Sequence, residues 1–266
     1  GTLRFVPIGG WNEKALPSSK VQIYTETGYI SGVIAAVPPH FLSADQRNAP
    51  VSYDNLTIDI GACSAKEAEE FGVVIGAPVV PLTVFENDEK HGILQGKAFD
   101  DRLGVAAMLK CLKLLQKEKL PLDVVAVVSS QEEVGERGAK IGAFDIEPDI
   151  AIAVDVSFAL TSGDSEVKCG AMGRGCMIGF SPVLDRELSQ TFKAMAENRG
   201  LPYQIEVMSG TTGTNADRFS VNKHGVKAVT LSIPLKYMHT PVEVISLSDV
   251  ENTAQLIAAY ITEVSA

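Results

Sequence analysis

Four short segments of this chain end in side chains that bind metals or carry protons. They are Phe99-Asp100-Asp101-Arg102, Gln131-Glu132-Glu133-Val134-Gly135, Val154-Asp155 and Tyr237-Met238-His239. Most sit at or just past a stretch that reads as a buried strand. If those strands lie side by side in one sheet, three carboxylates and an imidazole converge there. Such a set can hold divalent metal with a spare glutamate beside it, the equipment for metal-assisted hydrolysis.

Each segment also has a plainer reading. Asp100 and Asp101 precede a helical pattern, where a carboxylate is a good cap. For Asp101 the cap and the functional role stay open. For Asp100 the metal reading is preferred, because an aspartate fixed at a turn into a helix can offer one oxygen to each of two cations. Arg102 could orient a neighbouring carboxylate. Adjacent glutamates such as Glu132 and Glu133 are commonly only solvated. Here, though, an apolar run precedes them and Gly135 and Gly138 follow, letting the backbone turn sharply. One glutamate could then bind metal while the other polarises a water. Asp155 closes the run Ala151-Ile152-Ala153-Val154, where a lone carboxylate is costly to desolvate unless paired or metal-bound. His239 follows the apolar stretch from Ile233 to Met238 and joins the set as a ligand. His40 and His91 read as turn or surface histidines. The small-residue loop Gly210–Asn215 suits close backbone approach to a substrate, and it lacks the lysine and pattern of a nucleotide-binding P-loop.

The elements that must position these groups fall in two regions. Residues 1 to 93 carry short β-type runs broken by Gly and Pro, such as Val21–Thr25, Tyr29–Val37 and Leu56–Ile60, which predicts a small β-barrel or sandwich. Ser64, with Glu67 three residues on, marks a short helix by its capping box. From residue 94 to 266 strands alternate with helices. Helices are expected over 102–116, 137–143, 185–199, 216–222 and 248–264. Strands are expected over 123–129, 150–156, 176–180, 204–208 and 228–233. The continuous apolar run Val124–Val128 predicts a strand buried on both faces. The alternation predicts a central, mostly parallel sheet with helices on both faces, whose ligands bind outside the carboxyl ends of the strands.

Composition excludes several classes. The formal charge of −10 and pI near 4.9 argue against nucleic acid as a partner. No apolar run is long enough for a membrane span, and no signal-peptide pattern opens the chain. The cysteines, Cys63, Cys111, Cys169 and Cys176, form no CxxC pair, which fits reduced thiols in a cytoplasmic protein.

Taken together, Lys97-Ala98-Phe99-Asp100-Asp101-Arg102, Gln131–Gly135, Val154-Asp155 and Tyr237-Met238-His239 resemble the metallo-aminopeptidases of peptidase family M42. These are the tetrahedral, self-compartmentalising aminopeptidases, some once labelled endoglucanases. Ile8-Gly9-Gly10-Trp11 and Pro38-Pro39-His40 also match, so the resemblance covers essentially the whole chain. It implies a zinc-peptidase-like α/β domain interrupted by a small β-barrel domain, and two divalent ions, usually zinc or cobalt. By the resemblance, Asp100 bridges the metals, Glu133 and His239 complete one site, Asp155 serves the other, and Glu132 is the general base. Two departures stand out. The family takes a further histidine ligand from a segment ahead of the barrel domain, and none of His40, His91 or His224 sits in a matching motif. Either residues before Gly1 carry that ligand or the metal site is incomplete. The opening Gly1-Thr2-Leu3-Arg4-Phe5 reads as mid-domain sequence, which favours the first. Secondly, Asn215 stands where the family often has aspartate.

The leading expectation is therefore a cytoplasmic aminopeptidase acting on short peptides and assembled as a homo-oligomer, for which the resemblance points to a dodecamer. A non-catalytic subunit that binds peptides or a partner is the alternative from another class. A polysaccharide hydrolase fits poorly, because Trp11 is the only tryptophan available as a sugar platform.

Overall fold

The structure is a computed structural model that describes residues 1–45, 49–165 and 168–264. The chain divides into two compact units. The first comprises Gly1–Phe85 with the loop His239–Val242; the second comprises Glu86–Met238 and the residues from Glu243 onward.

The first unit is a five-stranded sheet in the order β1-β4-β3-β2-β5, every pairing antiparallel. Its strands are β1 (Thr2–Leu3), β2 (Lys20–Thr25), β3 (Gly28–Ile34), β4 (Ile58–Asp59) and β5 (Val79–Pro81). Alternation along β2 buries Val21 and Ile23, which pack with Leu16, Ile34, Leu56 and Ile58. The barrel expected from the sequence is not found. No pairing closes the sheet among the described residues, and strands as short as β1 and β4 supply too few ladder bonds to close one. Helix α1 (Ala65–Glu70) starts as its capping box requires: Ser64 Oγ accepts from the Glu67 amide at 3.1 Å, and Glu67 Oε2 accepts from the Cys63 amide at 2.7 Å.

The second unit contains strands β6 (Glu86–Asp88), β7 (Ile93–Gly96), β8 (Ile150–Phe158), β9 (Cys176–Phe180), β10 (Tyr203–Val207), β11 (Lys227–Lys236) and β12 (Glu243–Ser246). Its helices are α2 (Phe99–Leu115), α3 (Arg137–Ile146), α4 (Arg186–Arg199), α5 (Ala216–Phe219) and α6 (Leu247–Val264). The sheet runs β10-β9-β11-β12-β7-β6, and β8 lies parallel to β11 along its length. The core gathers Leu103, Ala107, Cys111 and Leu115 of α2, spaced four apart on one helix face, with Phe192 of α4 and Leu256, Tyr260 and Ile261 of α6.

Two expectations fail here. The sheet is mixed rather than mostly parallel: only β8–β11 and β9–β10 are parallel, while β9–β11, β11–β12, β7–β12 and β6–β7 are antiparallel. The short returns β6–β7 and β11–β12 reverse the chain without a crossover helix, and parallel pairing needs one. The run 123–129 is not a strand. Val125 is 57% exposed and Val128 66%, so the apolar run lacks the covering layers that a doubly buried strand requires.

Candidate metal centre

Asp100 sits where the chain enters α2, yet its own backbone is extended (φ −76°, ψ 109°), as is the neighbourhood of Asp101 (φ −116°, ψ 54°). The regular helix begins after them, capped by Asp101, whose Oδ1 accepts from the Gly104 amide at 2.8 Å. Asp101 therefore does cap the helix. The Arg102 guanidinium donates to the carbonyls of Lys97 and Ala98, the latter at 2.8 Å.

Glu132 and Glu133 occupy a single 3-10 turn, Glu132–Val134. Left-handed residues bound it, Gln131 at φ 60° and Gly135 at φ 109°. The Gly138 amide closes the segment on the Ser130 carbonyl at 2.9 Å. A Cβ on Gly138 would meet that oxygen at 2.5 Å, which explains the glycine. Asp155, 7% exposed, lies on β8 rather than past its end, and its Oδ1 accepts from the Val156 amide at 2.8 Å. His239, at φ 59°, lies within the loop from β11 to β12, and its carbonyl accepts from the Asn12 amide at 2.9 Å.

The structure groups three of these residues. Asp100, Glu133 and His239 each offer one ligand atom, and those atoms all lie within 4.8 Å of one another. Asp155 is outside that group but within reach of its charge. Burial pushes the Asp155 carboxyl well up, and the charges of Asp101, Asp100 and Glu132 push it the same way against the Val156 amide. Asp101 is pushed up to about 8, first by burial and then by Asp100, Glu132 and Glu133, against the Gly104 amide. Five carboxylates thus repel one another in a partly dry space. Two carboxylate oxygens and an imidazole nitrogen are a donor set that suits zinc and related divalent ions, and the repulsion gives a cation something to neutralise. On both counts the residues fit a divalent metal. The remaining histidines stand apart from this role: His91 Nδ1 pairs with Asp88 at 2.7 Å on the surface, and His40 and His224 are exposed.

Several polar residues around the site escaped the sequence reading. Glu206 of β10 accepts from Ser157 and, at 3.0 Å, from Ser232, which lies opposite Asp155 in the β8–β11 ladder. Glu243 of β12 accepts from the Phe99 and Asp100 amides. The loop before α5 is held by Asp217, which takes the amides of Thr212 and Gly213 at 2.9 and 3.0 Å. Asn215 Nδ2 donates to Ser129 Oγ at 3.1 Å. An acid inside the apolar run Val242-Glu243-Val244 was the one available signal for Glu243.

Among the described residues no helix is long and apolar enough to cross a membrane. Residues 1–256 match the family model described as M42 glutamyl aminopeptidase. The chain is 34% identical to the lysyl aminopeptidase of Pyrococcus furiosus over 264 residues, 99% of this chain and 75% of that protein. It superimposes on the TET aminopeptidase of a marine sediment Thaumarchaeota archaeon with a TM-score of 0.94 at 33% identity, covering 100% of this chain and 76% of the other. The TET1 peptidase of Pyrococcus horikoshii, which can assemble into a tetrahedron or a large octahedral shell, gives 0.82 at 34% identity, covering 99% and 77%.

Proposed function

Because the chain belongs to the M42 glutamyl aminopeptidase family, we propose that it is a dinuclear, metal-dependent aminopeptidase that removes residues from the free amino ends of short peptides. The observation that carries this reading is the convergence of Asp100, Glu133 and His239 within 4.8 Å of one another. In this reading Asp100, Glu133 and His239 would hold divalent metal, and Asp155, beside them, would be a further ligand. When bound, zinc or cobalt supplies Lewis acidity that polarises the scissile carbonyl and acidifies water. Glu132 takes the proton of the attacking water and delivers it to the departing amine. The anionic cluster favours a free α-amino terminus over a blocked one. The loop Gly210–Asn215, pinned by Asp217, offers backbone to the bound peptide. We extend the reading to a homo-oligomer working in the cytoplasm, as assembly is a property of the TET1 relative.

The test compares a peptide with a free amino terminus against its N-acetylated twin, before and after chelation and reloading with Zn²⁺ or Co²⁺. Hydrolysis of the free peptide alone, lost with chelator and regained with metal, is expected. Undiminished cleavage by metal-free protein sinks the reading. A non-catalytic peptide- or partner-binding subunit is the second reading, favoured by one observation: Asp155 is not in the three-donor group found among the described residues. Metal analysis separates the two, since a two-metal hydrolase retains both ions per chain and a binding subunit one or none.

A further inference from the structure

Glu243 opens β12, four residues after His239, and is only 2% exposed. In the β7–β12 ladder it stands opposite Gly96, just upstream of the Asp100 segment. Its Oε2 accepts from the Phe99 amide at 2.6 Å and from the Asp100 amide at 3.4 Å. Those amides lie in the non-helical turn ahead of the regular helix, where backbone N–H groups need an acceptor from elsewhere. The residue ahead of them, Ala98, is left-handed and has no side-chain oxygen to cap with. Asp101 caps further along, at Gly104, while Glu243 accepts from the Phe99 and Asp100 amides.

A buried carboxylate is an expensive acceptor for two backbone amides, and a local serine or aspartate at position 98 would be a cheaper one. What the distant glutamate adds is a tie. The strand that follows the His239 loop is joined to the turn that carries Asp100, across 143 residues of sequence.

Resting on the metal-centre reading above, we propose that Glu243 is a positioning residue: its carboxylate clamps the Phe99 and Asp100 amides and thereby sets the Asp100 carboxylate against Glu133 and His239 for cation binding. Glu243 is not one of the three grouped donors. Its effect passes through the backbone of Asp100, whose extended φ and ψ are not those of the helix that follows.

The test titrates metal-stripped protein with Co²⁺ alone, followed by visible absorption, in wild type, Glu243→Ala, Glu243→Gln and Asp185→Ala. Asp185 caps α4 through the Leu188 amide at 2.8 Å and is a control for ordinary helix-cap loss. Losing a group that orients a ligand typically lowers metal affinity by about 10- to 100-fold, and that is the expectation for Glu243→Ala. Glu243→Gln keeps an acceptor and should recover most of the affinity, with the Co²⁺ spectrum returning towards wild type. Asp185→Ala should lower the melting temperature and leave Co²⁺ affinity unchanged. If Glu243→Ala does not fold, Glu243→Gln decides: a Co²⁺ spectrum and affinity between wild type and the stripped protein support the role, and unchanged values overturn it. Wild-type Co²⁺ binding in both Glu243 variants likewise overturns the role while leaving the metal centre intact. A wild-type chain that binds no Co²⁺ overturns the metal-centre reading itself, and this proposal with it.

Discussion

Glu132 and Glu133 are neighbours on one turn, and the structure predicts that replacing each by glutamine fails in a different way. Glu133 contributes an oxygen to the three-donor group, whereas Glu132 does not. Glu132 instead acts at a distance, since its charge raises the carboxyl groups of both Asp101 and Asp155. Glu132→Gln should therefore keep its metal and lose its rate. A positioned general base contributes about 10²- to 10⁴-fold, so kcat should fall by that factor with KM little changed. At about 1.4 kcal/mol per decade this corresponds to roughly 3–5 kcal/mol of barrier. Glu133→Gln removes one of three donors, so metal content should fall together with activity, and excess Zn²⁺ or Co²⁺ should restore part of both. The assay is kcat and KM on an aminoacyl p-nitroanilide, paired with elemental analysis of gel-filtered protein. A fully metallated Glu132→Gln within tenfold of wild type would refute the assigned base. So would loss of metal equal to that of Glu133→Gln, because Glu132 would then be a ligand.

Gly138→Ala should depress kcat while far-UV circular dichroism stays unchanged, because the new Cβ meets Ser130 O at 2.5 Å and must push the Glu132–Glu133 turn; overpacking of this kind costs about 1–3 kcal/mol. Wild-type kinetics in that variant would show that the turn tolerates the shift. Asp249 is fully buried and accepts from the Gly173 and Gly175 amides at 2.6 and 2.8 Å. Burial outweighs those amides and raises its carboxyl above the ordinary range. Its folded pKa thus exceeds the unfolded value near 4, so its contribution is complete below about pH 4 and is lost as pH rises through the folded pKa. The stability gap between wild type and the non-titrating Asp249→Asn should therefore narrow as pH rises above about 4 in urea unfolding; a widening gap reverses the sign and discards the assignment.

Local chemistry was legible in the sequence wherever a residue's partner lies within a turn of it. Ser64 and Glu67 announce α1 because they stand three residues apart at its start. Asp155 was legible as an acid inside an apolar run. What depended on distant partners was not. Val124–Val128 has the composition of a buried strand, but burial is a property of what covers it, and nothing in five valines and alanines encodes that. Strand direction failed for a related reason. Alternation of strands and helices implies crossovers, yet β11 returns through a six-residue loop to β12 and pairs antiparallel. Glu243 showed only as an acid between two valines, and its role was not legible because its partners precede it by more than 140 residues.

The same distinction bears on the centre itself. Placing Asp100, Asp101, Glu132, Glu133 and Asp155 within one another's fields opposes folding, and hydrophobic packing beneath them must overcome it. Leu103 and Ala107 of α2 and Val156 of β8 anchor the acid-bearing segments in the core of the second unit. Neutral substitutes at these five positions would relieve the repulsion, so the cluster is poorly explained as a stability device. Burial first, and then the neighbouring carboxylates, raise the carboxyls of Asp101 and Asp155, so the cluster disfavours carrying its full charge. A divalent cation reverses that balance by favouring the ionised forms, and protons leave as it binds. The free energy set against folding by the clustered charges is thus returned on metal binding, which makes the anionic cluster a source of cation affinity.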